Sequence, residues 1–237
     1  MRVVLIGRGR LATNLLPALQ QAGHEVSSIN SRTLENLPEE ADVFIIAVKD
    51  SALQEVICRA TKGREQQLFV HTAGSMPMSL FEGYTNRFGV FYPMQTFSKE
   101  RLVSFADIPV FIEGDNAVLR PLAESITHSV YELSSADRKY LHLSAVFACN
   151  FVNHCYALSA ELLEKHGIPF SVMLPLIDET ALKVHQLHPL EAQTGPAVRY
   201  DENVIRMQSS MLADSPLLQE IYNLLSVSIH RKSERND

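Results

Sequence analysis

The sequence has no cluster of positive charge. Its 21 Lys and Arg residues are outnumbered by 27 Asp and Glu, for a formal net charge of −6, and the basic pair Arg231-Lys232 reads as a solvated terminus. Phosphate backbones are held by grouped Lys and Arg, so nucleic acid is not an expected partner. Long apolar runs are missing too. The run at 43–48 has strand length, far short of the roughly 20 residues of a membrane-spanning helix, and no membrane partner is expected. The chain runs straight into Arg2-Val3-Val4-Leu5-Ile6, without a basic segment, apolar core and small-residue cleavage site in succession, which leads us to expect a cytoplasmic protein. Cysteine is scarce. Cys58, Cys149 and Cys155 are odd in number and lack C-x-x-C spacing, as expected of reduced core thiols rather than a disulfide framework or a metal site. Neither repeats nor low-complexity stretches occur.

What is present is ordinary globular material, 46% hydrophobic and 20% charged, and 237 residues suffice for two domains. Short apolar strands are predicted at 3–6, 26–29, 43–48, 68–71, 88–91 and 110–112, with the sheet ending near 131–133. The stretches between several of them have helical spacing, as in Leu11, Leu15, Leu16 and Leu19 up to Gly23, and Asp50 is placed to cap the helix of Leu53, Val56 and Ile57. Alternating strand and helix implies a mostly parallel sheet. Beyond Ser134 the pattern changes. Ser134-Ser135-Ala136-Asp137 is a helix start, 141–163 has neither Gly nor Pro, and helical patterns return at 170–185, 201–212 and 216–230. The expected class is α/β: a Rossmann-type domain at 1–133, then an all-α domain at 134–237. Its first long, buried helix is more apolar than a small monomeric domain requires, which points to a homodimer through the helical domain.

Gly7-Arg8-Gly9-Arg10-Leu11-Ala12 fits G-x-G-x-x-G/A directly after a strand and at the opening of a helix. Gly7 would allow the tight turn, Gly9 the close approach of backbone to a pyrophosphate, and Ala12 the packing of helix on sheet, with the helix N-terminus facing the anion. After the second strand, where an NAD site places an acid on the ribose 2′-hydroxyl, the chain reads Asn30-Ser31-Arg32-Thr33. A guanidinium and two hydroxyls suit the 2′-phosphate of NADP, unless Arg32 is only a surface residue. Ala47-Val48-Lys49 should line the cofactor at the carboxyl edge of the sheet. The loops of His71-Thr72-Ala73-Gly74-Ser75 and Tyr92-Pro93-Met94-Gln95-Thr96-Phe97 should flank the nicotinamide. His71 is either catalytic or a brace for its loop. Lys139, His142 and Asn150 fall roughly along one face of an apolar helix, where Lys139 or His142 could donate a proton and Asn150 orient a substrate; Lys139 could equally be a solvated helix-start lysine. Asn153 and His154 read as structural or interfacial. Thr194-Gly195-Pro196 is a turn, Asp201 a helix cap, and Arg199 either a carboxylate binder or the partner of Asp201.

On the loops at 71–74 and 92–97, the 139–150 helix and the Thr194-Gly195-Pro196 turn with Arg199 and Asp201, the chain resembles the Rossmann-like NADP oxidoreductase family that carries a C-terminal domain of unknown function. More distantly it is similar to pyrroline-5-carboxylate reductase and to the 6-phosphogluconate and 3-hydroxyacid dehydrogenases, in which helical domains dimerise. The resemblance implies NADP as cofactor and a homodimer. Arg10 stands where Asn is common among such relatives, and Tyr200 where Gly is usual. The hydroxyacid dehydrogenases place a catalytic Lys and Asn one helical turn apart, whereas Lys139 and Asn150 are about three turns apart, so that pair does not transfer. The expected function is reduction of a small carbonyl or imine substrate by NADPH in a cleft between domains; the alternatives are an NADP-binding sensor without turnover, and an interaction module that has lost the nucleotide.

Overall fold

The computed structural model describes residues 1–234. Contacts divide the described residues into two units, 1–151 and those from 152 onward.

The first unit is built on β1 (Arg2–Ile6), α1 (Arg10–Gln21), β2 (Glu25–Ile29), β3 (Val43–Ile46), α2 (Asp50–Thr61), β4 (Leu68–His71), β5 (Arg87–Pro93), β6 (Val110–Glu113), α3 (Asn116–Glu124), β7 (Val130–Glu132) and α4 (Ser135–Ala145). The seven strands run in the order β2-β1-β3-β4-β5-β6-β7. All pairs are parallel except β5 with β6. Side chains alternate across the strands and build a core on each face. Val3, Leu5, Val43, Ile45 and Val70 pack with Leu15 and Leu19 of α1 and Leu119 of α3. Val4, Ile6, Phe44, Ile46 and Phe69 pack with Leu53 and Ile57 of α2 and with Phe81. The strand order reverses at β1, and the crevice outside the carboxyl ends of β1 and β3 is where open α/β sheets bind ligands.

After β7 no strand follows among the described residues. α4 leads into a π-helix at Val146–Phe151. The second unit then holds α5 (Val152–Glu164), α6 (Leu174–Lys183), the short α7 (Pro189–Ala192), α8 (Glu202–Ser210) and α9 (Pro216–Ser233). The change of secondary structure at 133/134 and the division of contacts at 151/152 are thus different lines, because α4 is tied to the sheet by hydrogen bonds described below.

Several local expectations are corrected. The stretch 141–163 is not a buried helix: none of its residues is buried, and Leu143, Phe147 and Phe151, with Tyr140 just before them, are at least half exposed. Phe147 and Phe151 meet edge to face on this exposed stretch. Cys58 and Cys155 are exposed rather than core thiols. Asp50 does not cap α2. The helix begins at Asp50 itself, with Lys49 as N-cap and no side-chain cap, and the Asp50 carboxylate accepts a hydrogen bond from Ser75 Oγ (2.5 Å) instead. Ser134 and Asp201 do cap their helices, accepting from the backbone N–H of Asp137 and Val204. With Asp201 engaged there, no Arg199–Asp201 pair forms among the described residues.

Candidate functional site

Gly7 follows β1 with φ +132, a conformation that side chains rarely adopt, and a Cβ there would lie 2.2 Å from the carbonyl oxygen of Ala47. Only glycine lets the β1 loop pass so close to the end of β3. At Gly9 the space is open, with Ala47 O 4.0 Å from a notional Cβ. Gly9 is the N-cap of α1 and offers no side-chain cap, so the first N–H groups of the helix remain available at the switch point. Ala12 is buried against the sheet, Leu11 is half-buried, and Arg8 and Arg10 are exposed. Asn14, buried one turn on, donates to Arg10 O (2.9 Å) and Ser98 O (2.8 Å) and accepts from Val103 N (3.1 Å). The opening of α1 is thereby joined to the segment after β5. These positions fit a dinucleotide pyrophosphate: a close backbone, free N–H donors and no acid in the first turn of α1.

The loop after β2 is held by its own polar groups. Asn30 Oδ1 accepts from Arg32 N (3.0 Å), Asn30 O from Leu34 N (2.9 Å), and Thr33 Oγ1 from Glu35 N (3.4 Å). Arg32 and Thr33 are exposed, Ser31 half-buried, and the Arg32 guanidinium has no hydrogen-bond or ion-pair partner among the described residues. Val48 is half-buried and Lys49 exposed at the β3 edge.

The loop at 72–78 is pinned at almost every step. His71 is fully buried and stacks on Phe81; its Nδ1 accepts from Ala73 N (3.2 Å) and its Nε2 lies 3.3 Å from Pro77 O. Burial lowers its pKa to about 4, so it stays neutral. Both ring nitrogens are thus engaged within its own loop. Ser75 donates to Asp50, Met76 O accepts from Arg138 Nη2 (2.6 Å), and Met78 N donates to Ser135 Oγ (2.9 Å).

Those last two contacts come from α4 and include the largest fully buried side chain, Arg138. Its Nη1 donates to Glu113 Oε2 (2.5 Å), and the same carboxylate accepts from Ser135 N (2.8 Å) and Ser135 Oγ (2.6 Å). Burial pushes the Glu113 carboxyl up, but the hydrogen bonds from Ser135 and Arg138 outweigh it and hold the group below the ordinary glutamate value. Nothing in the local sequence marks Arg138 as buried, and it was not among the expected site residues; its spacing of four from His142, one turn along α4, was the available signal.

That turn brings His142 to Tyr92. His142 Nδ1 lies 3.1 Å from the Tyr92 hydroxyl, and the rings meet edge to face. Tyr92 ends β5, is 8% exposed, and has its pKa raised by burial. Gly74 makes the meeting possible. A Cβ at Gly74 would stand 2.5 Å from His142 Nδ1 and 2.8 Å from Tyr92 Cζ. Lys139 and Asn150 do not join this group. Lys139 is exposed with Nζ over the Tyr140 ring, and Asn150 lies exposed in the π-helix, whose wider turn breaks the helical spacing that set it on the face of His142. Among the described residues no group of three or more His, Cys, Asp or Glu could hold a metal ion, and no helix is long and apolar enough to cross a membrane.

Comparison with known proteins places this geometry in context. No curated protein matches the chain. A crystal structure from Bacteroides fragilis, described as a candidate NADP oxidoreductase, is 50% identical with TM-score 0.90, over 97% of this chain and 98% of that one. An imine reductase from Streptomyces aurantiacus (17% identity, TM-score 0.68, 98% and 94% coverage) shares the fold. So does the pyrroline carboxylate reductase of Plasmodium falciparum, solved with NADP bound (10%, 0.61, 98% of each chain). Residues 108–229 match the model of the domain of unknown function DUF2520. The chain belongs to this family of Rossmann-like proteins with a DUF2520 domain.

Proposed function

We propose that the protein is an NADP(H)-dependent oxidoreductase that reduces a small carbonyl or imine. The observation that carries this reading is the convergence of Tyr92 and His142 over Gly74, beside a β1 loop that only Gly7 can form. In this reading the backbone at 7–12 holds the pyrophosphate, Ser31, Arg32 and Thr33 meet the 2′-phosphate, and Ala47, Val48, Thr72, Ala73 and Gly74 line the nicotinamide end. NADPH would supply the hydride. As hydride reaches a carbonyl carbon or an iminium, charge on the adjacent oxygen or nitrogen changes, and a positioned donor lowers the barrier. His142 is that donor in our assignment, held in place by the Tyr92 hydroxyl, while Lys139 and Asn150 stand apart. The 50% identical candidate NADP oxidoreductase supports the cofactor.

The exposed apolar residues of α4 and the π-helix, together with Leu174, Leu176 and Leu182 of α6, support a homodimer as the working form. Sedimentation should show twice the 26.5 kDa chain mass.

The test combines NADPH titration with a panel of cyclic imines and small aldehydes, monitored by loss of NADPH absorbance. Turnover that falls at least a hundredfold in His142→Ala while NADPH affinity holds would agree with the assignment. Tight NADPH binding without turnover on any member of the panel favours the sensor; failure to bind either nucleotide would refute the oxidoreductase reading altogether.

A further inference from the structure

Resting on the NADP reading above, we infer that Arg59 sets the preference for NADPH over NADH by fixing the backbone from which Arg32 projects. Arg59 lies in the last turn of α2, far along the chain from the dinucleotide loop. Its Nη2 donates to the carbonyl oxygen of Arg32 (2.8 Å) and its Nη1 to Glu55 Oε1 (3.2 Å). The peptide N–H of the same Arg32 donates to Asn30 Oδ1. Both backbone polar groups of Arg32 are therefore committed, one to the Asn30 side chain and one to Arg59, whereas its guanidinium has no partner among the described residues.

The loop's own hydrogen bonds, to Asn30 and Thr33, leave the Arg32 carbonyl free, and among the described residues Arg59 alone engages it. Leu34 and Asn36 sit at positive φ (55 and 58), the left-handed region that Asn tolerates and Leu rarely adopts. Loop carbonyls are held from outside as well, since Arg64 donates to Pro38 O (2.6 Å) and Leu37 O (3.0 Å). Arg64 grips the far end of the loop and Arg59 the end that carries Arg32. An arginine that discriminates one phosphate must present its fork at a set position, and a mobile backbone would spend that advantage on ordering. Arg59 is thus a positioning residue: its effect on the phosphate passes through Arg32.

The test is a double-mutant cycle of Arg32→Ala and Arg59→Ala read by NADPH and NADH dissociation constants, in a Glu55→Ala background so that no unpaired carboxylate repels the phosphate. Arg59→Ala should weaken NADPH by about tenfold, the scale of one hydrogen bond to a charged group, and leave NADH within twofold. In the Arg32→Ala protein the same substitution should have no further effect on NADPH. An unchanged NADPH/NADH ratio would overturn the inference, as would equal losses for both nucleotides, which mark a merely structural role. Full additivity with Arg32→Ala would overturn it in another way, by showing that Arg59 meets the phosphate directly. A starting protein with no preference for NADPH would remove the NADP reading itself, whereas a preference that survives Arg59→Ala removes only the role of Arg59.

Discussion

Replacing Glu113 by Ala would leave the Arg138 guanidinium buried without its counter-ion. Arg138 has 1% of its side chain exposed and Glu113 18%, so the guanidinium is shielded and water can replace the carboxylate only from its outer edge. Three hydrogen bonds to that carboxylate vanish at once, from Ser135 N, Ser135 Oγ and Arg138 Nη1. Arg138 Nε already lacks a partner, which leaves no reserve of hydrogen bonding. Removing one partner of a buried pair typically costs about 3–5 kcal/mol. With a urea m-value of about 2.5 kcal/mol/M, the unfolding midpoint of the first unit should fall by roughly 1–2 M. The chain has no Trp, so circular dichroism and tyrosine fluorescence are the suitable probes. Glu113→Leu with Arg138→Met, an apolar pair of similar bulk, should recover most of the loss, because neither charge then remains to be desolvated. A single substitution costing under about 1 kcal/mol would refute the reasoning, and so would a double variant no better than the single one. The same pair predicts a pH dependence. A carboxyl with a depressed folded pKa contributes stability above its unfolded value, and loses it as pH falls through the folded value. The Glu113 contribution should therefore disappear in acid, below about pH 4.5, and be absent from the double variant's titration.

Other outcomes follow from single residues. His71, with its pKa lowered from 6.5 to about 4, stays neutral in the fold while the unfolded chain protonates, so stability should decline as pH drops from about 6.5 to 4, by about 3 kcal/mol in all; His71→Gln should flatten that part of the curve. Gly7→Ala should abolish NADPH binding and destabilise the first unit by 2 kcal/mol or more, an order-of-magnitude figure for a Cβ against backbone at positive φ, readable by titration and thermal melting. Gly74→Ala should force Tyr92 and His142 apart, lowering turnover more than tenfold and NADPH affinity by less, since Gly74 also lines the nicotinamide end in the proposed site; an equal loss in both would show that the loop itself had collapsed.

Much of the sheet could be read from the chain because most strands are short and apolar, β2 and β7 being the polar exceptions, and because Gly7-Arg8-Gly9 follows directly on β1. Local signals also located Ser134 and Asp201, whose side chains each cap a helix through the N–H three residues on. The contacts that assemble the site could not be read in the same way. Arg138 looks like any helix-start charge, and only the fold brings Glu113, Ser135 and Met76 around it. The π-helix at Val146–Phe151 has no signature in hydrophobic spacing, so regular helical spacing puts Asn150 on the face of His142. His71 had two readings on sequence grounds, and the carbonyl of Pro77 and the N–H of Ala73 favour the brace. Tyr92 was placed beside the nicotinamide without a role, since its partner lies 50 positions away in the chain.

The pinned loop at 72–78 has a thermodynamic consequence. Segments that order on ligand binding impose an entropic penalty and a heat-capacity change larger than the contact area explains. Here Asp50, His71, Ser135 and Arg138 already fix that loop, so nucleotide association should register in a calorimeter as docking onto a finished surface: a modest negative heat capacity, little ordering penalty, and an association rate limited by encounter rather than by rearrangement.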